Sequence, residues 1–164
     1  METCIIKTPL GYSKISGNDD GITEVTLLNL DLSEDKKLEK ETDVIPAVLE
    51  DTVIQLQEYF EGVRNTFDLK LNPQGTDFQK SVWLELAQIP FGKTCSYLEL
   101  SKRLGDPKAI RAVANANAKN PIWIITPCHR VIGSDGSLTG YAGGLHRKKW
   151  LLEHENPYKQ QSLF

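Results

Sequence analysis

No apolar run in these 164 residues approaches the roughly 20 needed to cross a bilayer, which excludes a membrane-spanning role. The opening Met1-Glu2-Thr3-Cys4 has neither the basic stretch nor the apolar segment of a signal peptide. Cysteine is scarce: Cys4, Cys95 and Cys128 cannot all pair, so a disulfide scaffold is excluded and a reducing, cytoplasmic compartment is expected, nucleoid-associated if the source is bacterial. No CxxC, HxxxH or second Cys-His pair occurs, which argues against structural zinc. There is no internal repeat, and the net charge of −3 holds no overall positive excess to suggest a polyanionic partner.

That average hides an asymmetry. Residues 1–73 hold 7 Lys and Arg against 15 Asp and Glu, a net of −8, whereas 74–164 hold 12 against 7, a net of +5. The sign changes around Leu71-Asn72-Pro73-Gln74-Gly75, where turn residues cluster, and the boundary is placed there: a first module over 1–73 and a second over 74–164. In the first, β-rich runs at Thr3–Thr8, Gly11–Ser16 and Ile22–Leu28 predict an antiparallel meander, with Gly17 to Gly21 supplying a hairpin turn. Leu30 to Asp43 is a charge run read as a solvated loop. Val48, Val53, Ile54, Leu56, Tyr59 and Phe60 then repeat at helical spacing up to Gly62.

The second module is dense in helix punctuation. Thr76-x-x-Gln79 and Ser96-x-x-Glu99 each fit a capping box, in which two side chains satisfy backbone N–H groups left open at a helix start. The helix from Ser96 ends near Gly105, and Asp106-Pro107 offers an N-cap and first-turn proline for another running to about Lys119. A helix-turn-helix results. On its second helix Ile110, Val113, Ala114 and Asn117 lie toward one side, while Lys108, Arg111, Ala112, Asn115 and Lys119 form a basic, slender opposite face. The fold class is therefore α+β.

Ile122 to Ile132 is an apolar run broken by Pro127-Cys128-His129-Arg130. It reads as a buried strand that ends or bends at Pro127, leaving Cys128 at an edge or pocket. Positive charge and a titratable imidazole beside the cysteine lower its thiol pKa in this reading and favour the nucleophilic thiolate. Neighbouring residues in an extended segment point to opposite sides, so a bridging water links His129 to the sulfur, and a carboxylate, Glu153 or Glu155, orients the imidazole. The final helix, Leu145 to Glu155, buries Trp150, Leu151 and His154 by spacing. Cys95 is expected buried and inert, and Cys4 on a strand.

Over Gly75 to Glu155 the chain resembles the O6-alkylguanine-DNA alkyltransferases. The resemblance rests on Gly75-Thr76-x-Phe78-Gln79-x-x-Val82-Trp83, Pro90-Phe91-Gly92-Lys93, Ser96-Tyr97, Arg111-Ala112-Val113, Asn120-Pro121, Pro127-Cys128-His129-Arg130-Val131, Gly140-Tyr141-Ala142-Gly143-Gly144-Leu145 and Trp150-Leu151-Leu152-x-x-Glu155. It implies a ribonuclease-H-like first domain with a mainly structural role and a winged-helix-like second one. It also implies a monomer that flips O6-alkylguanine, and O4-alkylthymine, out of duplex DNA and transfers the alkyl group irreversibly to itself, without metal or cofactor.

Carried over by residue, Cys128 is the acceptor, His129 the water-mediated base and Glu155, rather than Glu153, its orienting carboxylate. Tyr97 donates to guanine N3, Arg111 fills the gap left by the extruded nucleotide, and Asn120 holds the turn that shapes the pocket. Tyr141, Arg130 and the Ala142 amide line that pocket, while the carbonyls of Cys128 and Val131 read the guanine amino group. Lys108, Ala112, Asn115 and Lys119 accompany Arg111 on the DNA. Trp123, Thr126 and Ala142 depart from the usual pattern, leaving pocket width open. Two other readings compete: a module that flags damage without removing it, which would lack the acceptor thiol, and a cysteine hydrolase using Cys128 and His129.

Overall fold

A computed structural model describes residues 1–28, 41–138 and 140–156. The chain divides into two compact units, Met1–Gln74 with Pro121–Ile125, and Gly75–Asn120 with the chain from Thr126 onward.

In the first unit, β1 (Glu2–Thr8), β2 (Gly11–Asn18) and β3 (Gly21–Leu27) form an antiparallel meander in the order 1-2-3. Alternation drives it: Cys4 and Ile6 of β1 are buried on either side of the half-buried Ile5, and Ile15 of β2 and Val25 of β3 are buried between polar neighbours, Lys14 and Ser16 in one case and Glu24 and Thr26 in the other. The second hairpin turns at Asp19-Asp20, where the Asp20 N–H donates to Asn18 Oδ1 and Gly21 takes a φ of +131°. The far edge of β3 is covered twice, by Leu71 bridging Ile22 and by Ile122 bridging Val25, both parallel. This pairing is what brings 121–125 into a unit whose main segment ends at Gln74.

Helix α1 (Glu50–Phe60) follows a single 3-10 turn and buries Val53, Leu56 and Tyr59. Ile54, expected on the inner face, is exposed, and Thr52 and Gln55 are buried instead. Gln55 is accommodated by two bonds to the Asp68 backbone, at 3.1 and 2.8 Å. Of the solvated loop expected over Leu30 to Asp43, residues up to 40 lie outside the described residues.

In the second unit α2 (Asp77–Leu86) and α3 (Tyr97–Arg103) both start in complete capping boxes, with Thr76–Gln79 and Ser96–Glu99 bonded reciprocally. Helix α4 (Ile110–Ala118) starts three residues later than expected. Asp106 caps a turn rather than the helix, its carboxylate accepting from Lys108 N–H and its carbonyl from Ala109 N–H. Ile110 is consequently exposed, and Val113, Ala116 and Asn117 form the buried face. The Trp83 indole N–H donates to the Ala116 carbonyl at 2.9 Å, fastening α4 to α2.

A short parallel pair joins β4 (Cys95–Ser96) to β5 (Val131–Ile132), setting Cys95 opposite Val131. The expected strand before Pro127 is absent. Only Ile122 bridges, Ile124 adopts the left-handed region at φ +72°, and Cys128–Arg130 is a 3-10 turn. The apolar Ile-Trp-Ile-Ile string reflects burial in a tight bend, not extension.

Helix α5 (Leu145–His154) closes the unit. It buries Lys148 and Leu151, whereas Trp150 and His154, expected inside, are half-buried and stack on each other at 4.8 Å. Among the described residues no helix is long and apolar enough to cross a membrane.

Candidate functional site

The 3-10 turn sets Cys128 into the core cluster of the second unit, beside Leu86, Ile89, Val113, Ala116 and Val131. The residue is 4% exposed, buried where the sequence suggests an edge or pocket. Burial, the largest influence, pushes its thiol up to about 11, against the lowering pull of the Asn120 amide, the Lys148 ammonium and the Tyr141 hydroxyl. The expected depression of the thiol pKa does not occur, and the reason is local. Arg130 is committed to Glu155, and burial lowers the His129 pKa, so its imidazole brings no fixed charge. At pH 7 roughly one thiol in ten thousand would ionise unaided, so a base is needed to generate the nucleophile.

A candidate for that base stands next in the chain. His129 Nε2 lies 2.7 Å from Glu155 Oε2, with both side chains buried. Arg130 grips the same carboxylate from the other side, Nε to Oε1 at 2.7 Å and Nη2 to Oε2 at 3.1 Å, and Nη1 donates to the Ile89 carbonyl. Burial works to raise the Glu155 pKa, but the His129 hydrogen bond and the Arg130 fork outweigh it and hold the carboxyl at about 2. The carboxylate is therefore ionised and accepts the Nε2 proton. A neutral imidazole held that way leaves Nδ1 as a lone pair, and Nδ1 has no partner among the described residues. Of the two candidates Glu153 and Glu155, Glu155 is at the imidazole and Glu153 is exposed beside Lys149.

Asn120 Nδ2 donates to the Thr126 carbonyl at 2.8 Å, tying the ends of the 121–125 excursion just ahead of Cys128. Tyr97 and Tyr141 pack half-buried against the cluster that holds the thiol. Burial first, and then the Cys128 charge, push the Tyr141 hydroxyl well above the ordinary tyrosine value, so it remains a proton donor. Val131 is buried and Ala142 exposed. On α4 and the turn before it, Lys108, Arg111, Ala112, Asn115 and Lys119 are all exposed, a basic face clear of the core.

Sequence reasoning missed Lys148. It is 0% exposed, its Nζ reaches the Gly140 carbonyl at 3.5 Å and sits 6.0 Å from the Tyr97 ring centroid. Burial lowers its pKa and the Cys128 charge opposes that, so a thiolate and this ammonium stabilise each other. The signal was present in the spacing, because Lys148, Leu151 and Glu155 fall on one helical face at i, i+3 and i+7. Among the described residues no group of three or more His, Cys, Asp or Glu could hold a metal.

Two family models match, the ribonuclease-like domain of 6-O-methylguanine DNA methyltransferase over residues 3–73 and its DNA-binding domain over residues 77–157. A methylated-DNA–protein-cysteine methyltransferase of Methanosarcina barkeri is 48% identical across 92% of this chain and 94% of its own. One from Mycobacterium tuberculosis is 44% identical across 92% and 89%. The crystal structure of M. tuberculosis OGT in complex with DNA superposes with a TM-score of 0.80 at 42% identity, covering 93% of this chain and 91% of that one. With likeness running through both units at this level, the chain belongs to the 6-O-methylguanine DNA methyltransferase family.

Proposed function

We propose that this protein is a single-turnover DNA repair alkyltransferase, which binds duplex DNA, rotates O6-alkylguanine or O4-alkylthymine out of the stack and moves the alkyl group onto Cys128. The observation that carries the reading is the Glu155–His129 pair, which sets a neutral imidazole with an open Nδ1 one residue from a buried, protonated thiol. The module over 74–164 does the chemistry, and that over 1–73 supports it.

The alkylated oxygen is stacked inside a duplex, so the base must leave the helix, at a cost of a few kcal/mol that is smallest for a damaged, poorly paired base. The exposed face of α4 suits the groove because Ala112 and Ala118 keep it slender, and Arg111 is its long side chain for the gap that remains. Lys108, Asn115 and Lys119 contact backbone phosphate, so affinity falls with salt. His129 Nδ1 takes the thiol proton through one water, and Glu155 stabilises the imidazolium that forms. Lys148 balances the thiolate.

The sulfur attacks the alkyl carbon, the C–O bond breaks, and the departing guanine is stabilised by hydrogen bonds, Tyr97 to N3 and the Ala142 amide to the oxygen. Tyr141 and Arg130 shape the pocket, and the Cys128 and Val131 carbonyls accept from the guanine amino group. A thioether has no easy return, so each chain acts once, as a monomer, with no metal or redox cofactor in the step. Against a damage-flagging module stands the acceptor thiol itself, and against a hydrolase stands the absence of a direct Cys128–His129 contact among the hydrogen bonds of the buried pair.

Incubation with duplex containing O6-methylguanine, followed by intact-protein and peptide mass spectrometry, tests the reading. One methyl group per chain, on Cys128, is expected. Cys128→Ala should abolish transfer and keep DNA affinity within about threefold, since the thiol is buried away from the exposed α4 face. Unmodified protein under conditions where the duplex is bound would overturn the proposal.

A further inference from the structure

Two buried acceptors flank the Cys128–His129 peptide, and no described protein group satisfies either. One is His129 Nδ1 and the other is Asn117 Oδ1. Asn117 lies on the inner face of α4 at 5% exposure, and its Nδ2 donates to the Cys128 carbonyl at 3.5 Å. Turning that amide over would set oxygen against oxygen, so Oδ1 is fixed as the atom without a partner. The His129 tautomer is fixed in the same way by Glu155. Val113 and Ala116 fill equivalent core positions of this helix with apolar groups, so an asparagine with an unmet oxygen is a costly choice for packing alone. A single donor of two hydrogens placed between them would satisfy both acceptors at once. Water is the smallest such group, and its lone pairs remain available to the thiol.

We infer that Asn117 is a positioning residue for the proton path, its Oδ1 and His129 Nδ1 together holding one water with its oxygen turned toward Cys128. The inference deepens the alkyltransferase reading and rests on its proton path. The thiol proton passes to the water oxygen as one water hydrogen passes to Nδ1. S–H and O–H bonds break, O–H and N–H bonds form, and thiolate and imidazolium result. Asn117 keeps the second hydrogen throughout, so the water cannot present a hydrogen to the sulfur. The other ionisable groups around the thiol are Lys148 from α5, Tyr141, and Tyr97 from α3, with Glu155 and Arg130 behind the imidazole. None of these orients the water's second hydrogen in this arrangement.

Methyl iodide is a probe small enough for a buried sulfur, and it needs no DNA. Methylation of Cys128, read by peptide mass spectrometry across the neutral to alkaline range, should be on the order of tenfold slower in Asn117→Leu at neutral pH. The rising limb of the profile should move to higher pH, and the two proteins should converge where the thiol ionises unaided. Equal slowing at every pH, or an unmoved profile, overturns the inference. A crystal structure of the wild-type protein with ordered solvent decides it independently of how the variant folds. One water within about 3.2 Å of both atoms is expected, and a water on His129 alone, or none, overturns it. A wild type that leaves methylated duplex untouched would refute the functional reading, while the methyl iodide profile would still decide the role of Asn117.

Discussion

Each unit buries polar side chains, but of different kinds. The first encloses Thr8, Ser13, Ser16, Thr52 and Gln55, all neutral; Thr8, Ser13 and Gln55 bond to backbone carbonyls and Ser16 to the Glu24 carboxylate. The second also encloses neutral groups, Ser96, Ser101, Asn117, Asn120 and Thr126, and it alone adds ionisable ones: His129, Arg130, Lys148 and Glu155, in the unit that holds Cys128. Neutral polar groups are what a sheet needs to complete its hydrogen bonds. Four ionisable groups in one core exceed any folding requirement, because an apolar replacement set is often as stable or more so. The contrast supports the proposal that the chemistry sits in the second unit, without reference to any relative.

The sharpest way to break the comparison is to remove the group on which the ionic cluster converges. Glu155→Ala should cost about 3–5 kcal/mol in urea unfolding, because it strands Arg130 and leaves the imidazole unoriented. Protons should reproduce part of that loss. The folded His129 pKa lies below its unfolded value, so the unfolded chain takes up the proton first and stability falls as pH drops below about 6.5. Glu155 adds to the loss as pH falls from about 4.5 toward its folded value of about 2. At the other end Cys128, raised to about 11, contributes stability that is lost as pH rises through 9. A pH series of chemical melts reads all three.

Gln55→Ala in the first unit removes two hydrogen bonds to Asp68 and should cost about 1–3 kcal/mol while leaving the rate of alkyl transfer unchanged. A matching loss of rate would dissolve the division of labour. Lys148→Met should be close to neutral in unfolding, since a buried ammonium is exchanged for an apolar chain of similar length. It should nevertheless slow transfer on the order of tenfold at neutral pH through the lost thiolate partner, as single-turnover kinetics would show. Arg111→Ala, on the exposed face, should change stability by no more than about 0.5 kcal/mol. It should slow transfer from duplex DNA more than from free O6-alkylguanine, and equal slowing would remove its assigned place in the gap.

Much of the fold is written in local chemistry. Both capping boxes, the hairpins of the meander and the inward face of α5 at Leu151 follow from residue type and spacing. The site was harder to read, for three physical reasons. Ile122 to Ile125 are β-formers by composition, yet the Asn120 tie to Thr126 and the left-handed Ile124 bend them back. Asp106 had two uses, and the turn won over the helix cap. Charge adjacent in sequence also proved a poor guide to thiol chemistry. Arg130 spends its charge on Glu155, whereas the ammonium that pulls the thiol pKa down belongs to Lys148, far on in the sequence. Such a lysine looks like a solvated surface residue until the face carrying Glu155 inward is seen to carry it too.

On the proposed reading, the confinement of Cys128 has a consequence for the protein once its thiol carries an alkyl group. Cys128 belongs to the same buried cluster as Val113, Ala116 and Val131, so a carbon attached to its sulfur adds volume to a packed interior. Extra methylenes forced into a filled interior typically cost about 1–3 kcal/mol, so the product should melt below the parent, and further below it as the adduct lengthens. Completed repair would thereby be recorded as lost rigidity in the very unit that bound the DNA.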